Sequence, residues 1–206
     1  MRSGWTGGGA LAIMDEGENL ALAVHQRQEG AFERLVEQFE RSLFNYVNRL
    51  LQSPQDAQEV VQDAFLRAHD ALTRRYDGVR AAELALKPWL FRIARNLSFN
   101  RRRGSKSRVD EPLTAFDDGR IGPLVPEGSV SSGLEKEQER AALDRAIAAL
   151  PPDARELIVL RFMEEMPYAE MARCTGLNES ALRGRVFRSL KLLREALSRE
   201  EVTHAV

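Results

Sequence analysis

Residues 168–188 read YAEMARCTGLNESALRGRVFR, and this stretch indicates two helices joined by a tight turn. Gly176 can adopt the left-handed conformation that such a turn needs, and Asn178 can cap the second helix. Ala172 is small where the two helices must approach each other. A short helix, a glycine-containing turn and a second helix form the helix-turn-helix pattern.

The second helix of this motif is predicted to run from about Glu179 to Leu197 and to be strongly basic. Its apolar residues Val186, Leu190 and Leu193 recur at helical spacing and are predicted to face the core. Between residues 183 and 194 there is no acid, and the basic residues are Arg183, Arg185, Arg188, Lys191 and Arg194. Arginines on such a helix can reach base edges and phosphates in a DNA major groove, although a solvated basic surface is the alternative.

The N-terminal half of the chain also shows helical periodicity, and an acidic helix stands out in it. Ser53 is a good N-cap, Pro54 suits the first helical position, and Asp56 completes a capping pattern. The apolar side of the helix that follows is predicted to extend to Leu72. Its opposite side carries the polar set Asp56, Glu59, Gln62 and Asp63. A helix N-terminus that favours negative charge explains Asp56 but not Asp63, which lies about two turns further on.

A polar loop is predicted over residues 73–86, followed by a helix that starts at Pro88. Residues 87–108 contain eight basic residues and no acid. Aromatic residues beside cations suit single-stranded or melting DNA, although Trp89 lies on the apolar stripe and favours a place in the core. The better candidates for DNA contact are Arg92, Arg95, Asn96, Arg101 and Arg102.

The chain is therefore predicted to be all-α, with two small helical domains joined by a flexible linker and a helix-turn-helix in the second. Residues 109–133 are rich in Pro, Gly, Ser and acids, which is typical of a tether. We expect a disordered N-terminal extension over 1–18, a first domain over 19–108, the linker over 109–133 and a second domain over 134–206. Met14 is an alternative translation start to Met1.

Composition excludes several classes of protein. The chain has 206 residues, with 30 Lys and Arg against 31 Asp and Glu. No apolar run is long enough to span a bilayer, and residues 10–14 are too short for a signal-peptide core, so we expect a soluble cytoplasmic protein without membrane insertion. The single cysteine, Cys174, excludes a disulfide framework. We find no catalytic constellation, no metal ligand set and no cofactor motif, and expect no enzyme.

Two blocks of sequence, in this order, resemble regions 2 and 4 of the bacterial extracytoplasmic-function (ECF) sigma factors of the sigma-70 family. The region 2 resemblance rests on DAQEVVQDAFLRA at residues 56–68 and WLFRIARN at 89–96. The region 4 resemblance rests on LPPDAREL at 150–157, YAEMA at 168–172 and RGRVFR at 183–188. It covers residues 19–199, nearly the whole chain.

The resemblance implies a function in transcription initiation, often in a stress response. Asp56, Glu59, Gln62 and Asp63 would bind the clamp helices of the RNA polymerase β′ subunit, and the second domain the β flap. The last helix of the first domain, with the loop over 73–86, would recognise and open the promoter −10 element. The residues implied to contact the −35 element are Ser180, Arg183, Arg185, Phe187 and Arg188.

An anti-sigma factor is a further partner that the resemblance implies. The alternative is a helix-turn-helix regulator that acts without joining polymerase, but it leaves the acidic helix and the first domain unexplained. Ala181 stands where many family members have Thr, so the −35 preference is expected to differ. The loop over 73–86 is longer and less aromatic than the family pattern, which leaves the −10 base preference open.

Overall fold

The computed structural model describes residues 16–105 and 133–204, and these are helical apart from short connections. The described residues contain no strand, which agrees with the predicted all-α class. The predicted linker over 109–133 lies outside them, except for Gly133. The helices are α1 (Glu16–His25), α2 (Ala31–Leu51), α3 (Pro54–Asp70), α4 (Gly78–Ala82), α5 (Leu86–Ser105), α6 (Gly133–Ala149), α7 (Pro152–Ile158), α8 (Tyr168–Thr175) and α9 (Glu179–His204).

Local capping sets the start of α3 as the sequence predicts. Ser53 is extended, and its hydroxyl accepts a hydrogen bond of 3.3 Å from the backbone N–H of Asp56. Pro54 occupies the first turn, where its missing N–H costs nothing. The helix then buries its apolar side, which consists of Ala57, Val60, Val61, Ala64, Phe65 and Ala68. Its polar side is left for solvent or for partners.

The prediction of a loop over 73–86 is wrong in part. α3 runs into a π-helical turn, Ala71–Arg75, and Asp77 then caps the short helix α4 by accepting from the N–H of Arg80 at 2.8 Å. α5 begins at Leu86 and not at Pro88, because burial of Leu86 extends the helix backwards. Pro88 is still within the first turn, where a helix tolerates proline.

The helix-turn-helix is present and is built as its sequence predicts. Gly176 ends α8 with φ 79° and ψ 7°, a left-handed conformation that glycine adopts without steric cost. The Asn178 side chain accepts from the N–H of Ala181 at 2.7 Å and so caps α9. Leu182, Val186 and Leu193 are buried and hold α9 on the domain.

The two helical blocks pack against each other and share one hydrophobic core. α5 of the first block lies against α8 of the second, and α2 lies against α7. Arg155 and Glu156 of α7 are buried in this contact, and each bonds to the first block: Arg155 donates to the carbonyls of Arg49 and Leu50, and Glu156 accepts from Tyr46 and Arg95. The flexible linker predicted from the sequence permits both packed and open arrangements of the two domains, and the arrangement in the structure is the packed one.

Candidate nucleic-acid and polymerase interface

The acidic side of α3 divides into a paired half and an unpaired half. Arg101 of α5 donates to Asp56 at 2.7 Å and to Glu59 at 2.5 Å, and these two hydrogen bonds raise the pKa of its guanidinium, the one from Glu59 most. Gln62 and Asp63 are exposed and bond to no residue that the structure describes. Leu66, on the same side of the helix, is 66% exposed.

The unpaired half of α3 therefore has the chemistry of a docking surface. Gln62, Asp63 and Leu66 recur at helical spacing and combine an amide, a free carboxylate and an exposed apolar side chain. Such a combination suits a partner that presents a cation beside an apolar patch. Gln62 and Asp63 belong to the polar set predicted from the sequence, whereas Leu66 was assigned neither to that set nor to the core; its spacing from Gln62 and Asp63 is the signal that could have found it.

The five predicted −10 residues lie on α5 in different environments. Arg92 and Asn96 are exposed and bond to no described residue. Arg102 is half-buried, with its guanidinium 5.6 Å from the ring centre of Phe99. Arg95 and Arg101 are held by carboxylates, Arg95 by Glu156 and Arg101 by Asp56 and Glu59. Only part of the predicted set is available to a ligand in this conformation.

Aromatic residues beside α5 border two open grooves. Trp89 donates from Nε1 to the hydroxyl of Tyr76 at 3.0 Å, and the Arg80 guanidinium stacks 4.1 Å above the Tyr76 ring. A groove of about 530 Å³ lies on the side of Arg92, and one of about 660 Å³ lies on the side of Asn96. Trp89 borders both and is only half-buried, whereas Phe91 is wholly buried.

The predicted −35 residues lie on α9, mostly opposite its buried side. Ser180, Arg183 and Phe187 share one side of the helix at three- and four-residue spacing, and Ser180 and Arg183 are exposed. The Arg183 guanidinium lies 4.5 Å from the Tyr168 ring centre and 3.5 Å from the Glu179 carboxylate. Arg185 and Arg188 are half-buried, and Arg185 lies nearer the buried side.

The two buried charges of α7, Arg155 and Glu156, are not among the functional residues predicted from the sequence. Arg155 donates to carbonyls at the ends of α2 and α6, and burial lowers its pKa. Burial raises the pKa of Glu156, while the neighbouring Arg95 acts in the opposite direction. Burial also raises the pKa of Tyr46, with Glu156 adding to the effect. The available cue was the pair of adjacent charges between Ala154 and the apolar run that begins at Leu157, because fully buried charges are rare unless they are paired.

Cys174 is expected to be unreactive in the folded protein. It is buried, and burial raises the pKa of its thiol to about 12. Because the thiolate is the reactive form, modification by a thiol reagent near pH 8 should be roughly a thousandfold slower than that of an exposed cysteine. Labelling the native and urea-unfolded chain measures this ratio; equal rates would contradict the burial.

Residues 16–105 and 133–204 contain neither a metal-binding cluster nor a helix that could span a membrane. Those residues hold no group of three or more His, Cys, Asp or Glu side chains that could bind a metal ion. Within the same ranges, no helix is both long and apolar enough to cross a membrane.

Comparison with known proteins matches both halves of the chain to one family. Residues 35–108 match the model of sigma-70 region 2, and residues 140–193 match that of sigma-70 region 4. The ECF RNA polymerase sigma-E factor of Escherichia coli K12 is 31% identical over 176 residues, which cover 82% of this chain and 88% of the relative. The RNA polymerase sigma-H factor of Pseudomonas aeruginosa is 27% identical over 192 residues, covering 91% and 96%.

The fold agrees with these matches. The structure of CnrH in complex with the cytosolic domain of CnrY superposes with a TM-score of 0.64 at 24% identity, covering 89% of this chain and 97% of that one. The sigma factor RpoE of Bartonella quintana, solved with the anti-sigma factor NepR, gives 0.58 at 22% identity, covering 82% and 98%. The chain belongs to the ECF group of sigma-70 family RNA polymerase sigma factors.

Proposed function

We propose that this sigma factor divides its work among three helices: α3 binds core RNA polymerase, α5 engages the −10 element and α9 reads the −35 element. The observation that carries the proposal is the separation of charge on exposed surfaces. α3 presents an unpaired carboxylate beside an exposed leucine, whereas α5 and α9 present arginines. Opposite charges on separate helices suit a basic protein partner at one place and a polyanion at two others.

At the polymerase, Asp63, Gln62 and Leu66 make the direct contact with the β′ clamp helices. Asp56 and Glu59, which the family resemblance assigns to the same contact, act mainly through Arg101. Their pairing with Arg101 links the start of α3 to the end of α5. A pair of this exposure contributes little to stability, so its main effect is to neutralise the two carboxylates and not to hold the helices together.

At the −10 element, Arg92 and Asn96 make the first contacts with the DNA. Arg92 is a phosphate or base-edge donor, and the Asn96 amide can both donate and accept. The groove on the Asn96 side of Trp89 is lined by residues of the first domain alone and is large enough for an unstacked base, and the rings of Tyr76 and Trp89 that border it favour stacking. Strand opening is then favoured because separated bases gain partners that paired bases do not have.

At the −35 element, α9 enters the major groove with Ser180, Arg183 and Phe187 toward the bases. Arg185 and Arg188 flank them and neutralise phosphates. The ring of Tyr168 gives the Arg183 guanidinium a cation–π partner at the edge of this surface. The packing of Leu182 and Val186 against the domain fixes the side of α9 that faces the DNA.

We further propose that the protein acts in the cytoplasm, catalyses no reaction itself and binds an anti-sigma factor. The structures of CnrH and of the Bartonella RpoE, each solved with a partner, support the last point. A regulator that uses α8 and α9 alone would leave the α3 surface without a role. It would also leave the match of residues 35–108 to region 2 unexplained.

Reconstitution tests the main proposal. Purified chain added to core polymerase should produce transcripts with defined start sites on genomic DNA, and core polymerase alone should not. DNA affinity should fall with salt at a slope of about −0.9 per neutralised phosphate. Absence of association with core polymerase, or start sites identical with and without the chain, would contradict the proposal.

Arg183→Ala is expected to weaken binding to −35 DNA. A bidentate contact from arginine to guanine is worth about 1–3 kcal/mol of discrimination, so the loss should be roughly 5- to 150-fold. Fluorescence anisotropy with cognate and scrambled duplexes measures it. An equal loss on both duplexes would make Arg183 a phosphate contact and not a base contact.

A further inference from the structure

The carboxylate of Glu156 forms an ion pair with Arg95, one of the basic residues predicted to contact promoter DNA. Arg95 of α5 donates to it from Nε at 2.5 Å and from Nη2 at 3.3 Å, and the hydroxyl of Tyr46 donates to it at 3.1 Å. Glu156 is 2% exposed, and both partners come from the region 2 half of the chain. A carboxylate held by a guanidinium fork offers the same chemistry as a phosphate.

Other polar contacts between the two halves surround this pair. Arg49 of α2 forms an ion pair of 2.9 Å with Asp144 of α6. Lys87 donates to the Glu164 carbonyl at 2.8 Å, and Ser42 donates to the Glu164 carboxylate. The guanidinium of Arg155 also donates to two carbonyls of α2. Together these contacts connect α6, α7 and the turn that follows α7 to region 2.

This arrangement cannot read a promoter. α5 and α8 are in direct contact, and α8 and α9 form one helix-turn-helix. The −10 and −35 elements are about 25 base pairs apart, which is about 85 Å at 3.4 Å per pair. The helices proposed to read the two elements must therefore separate before both can bind.

We propose that Glu156 is an internal competitor of promoter DNA for Arg95 and keeps the free sigma factor in a closed form. The inference rests on the proposed function, in which α5 engages the −10 element, and it adds Arg95 to the residues of α5 that contact the DNA. Opening exposes Arg95 and Tyr46 on region 2 and frees α8 from α5. The apparent affinity of the free protein for DNA then equals the affinity of the open form multiplied by the fraction of molecules that are open.

Charge reversal at Glu156 tests this in the full-length chain. Glu156→Lys places two cations together in the closed form, which disfavours closure. We expect the radius of gyration from small-angle scattering to rise. The affinity for a randomised pool of labelled single-stranded DNA should increase about tenfold, since a charge-assisted hydrogen bond of this kind holds the closed form.

Two further variants control for charge and for pairing. Glu40→Lys makes the same charge change at an exposed position of α2 that bonds to no described residue, and should leave the radius unchanged. Arg95→Glu combined with Glu156→Lys restores an opposite pair and should return the radius to that of the parent chain. If circular dichroism shows that Glu156→Lys does not fold, Asp144→Lys replaces it. Asp144 lies at the exposed edge of the contact, so we expect a smaller increase in the radius of gyration.

The outcomes separate the closed form from the proposed function. Unchanged radius and DNA affinity in a folded Glu156→Lys chain, relative to Glu40→Lys, would overturn the inference even if the protein directs transcription. Adding Arg95→Ala to Glu156→Lys should remove the gain in DNA affinity and keep the expansion; a retained gain would overturn competition for Arg95. Failure of the parent chain to alter start sites with core polymerase would instead overturn the proposed function.

Discussion

Asp63→Arg is expected to weaken association with core RNA polymerase by about 30- to 1000-fold, the range of an interface residue worth roughly 2–4 kcal/mol. Asp63 is exposed on α3, bonds to no described residue and lies on the same side as the exposed Leu66. Reversal of its charge replaces an attraction with a repulsion at the centre of the proposed contact. Biolayer interferometry with immobilised core polymerase measures the affinity.

Glu37→Arg is the matched control for this charge change. Glu37 is an exposed residue of α2 that bonds to no described residue, so its reversal should leave polymerase affinity within about twofold. Binding of −35 duplex DNA should be the same for Asp63→Arg and the parent chain, because α9 is unaltered. Equal affinities of Asp63→Arg and Glu37→Arg for polymerase would remove Asp63 from the docking surface.

Arg155→Met is expected to lower the free energy of unfolding by about 2–4 kcal/mol, because it leaves several buried carbonyls without a donor. Arg155 is 7% exposed, and its guanidinium donates to five carbonyls at or just beyond the C-terminal ends of two helices. The acceptors are Arg49, Leu50, Ile147, Ala148 and Leu150. Methionine has a similar length and supplies no donor. Urea unfolding followed by circular dichroism measures the change.

Arg173→Met provides the comparison for this loss. Arg173 is exposed on α8 and bonds to no described residue, so its replacement should change stability by about 0.5 kcal/mol or less. Similar unfolding midpoints for the two variants would show that the carbonyls around Arg155 do not depend on its guanidinium.

The sequence predicts well those features that depend on residues close together in the chain. Ser53 and Asn178 cap helices through groups three residues away, and Gly176 needs only its own conformation. α4 and the early start of α5 were missed because they depend on distant packing: Ala81 and Leu86 are buried by other elements. A polar composition over 73–86 gives no indication of that burial.

The availability of the candidate site residues is harder to predict, because it depends on partners far along the chain. Arg101 and Asp56 are 45 residues apart, and Arg95 and Glu156 are 61 apart on opposite sides of the predicted linker. A basic run in a sequence shows where cations are, and the fold decides which are already neutralised. For the same reason the sequence does not show that Asp56 is paired with Arg101 while Asp63 is left unpaired.

The position of Arg101 has a consequence for genetics. Its guanidinium neutralises Asp56 and Glu59 on the helix proposed to dock on polymerase, while its own helix is proposed to engage the −10 strand. Loss of this one side chain would release both acids and remove a cation from α5. A selection for variants altered in holoenzyme assembly and a selection for variants altered in strand opening should therefore both recover the same codon.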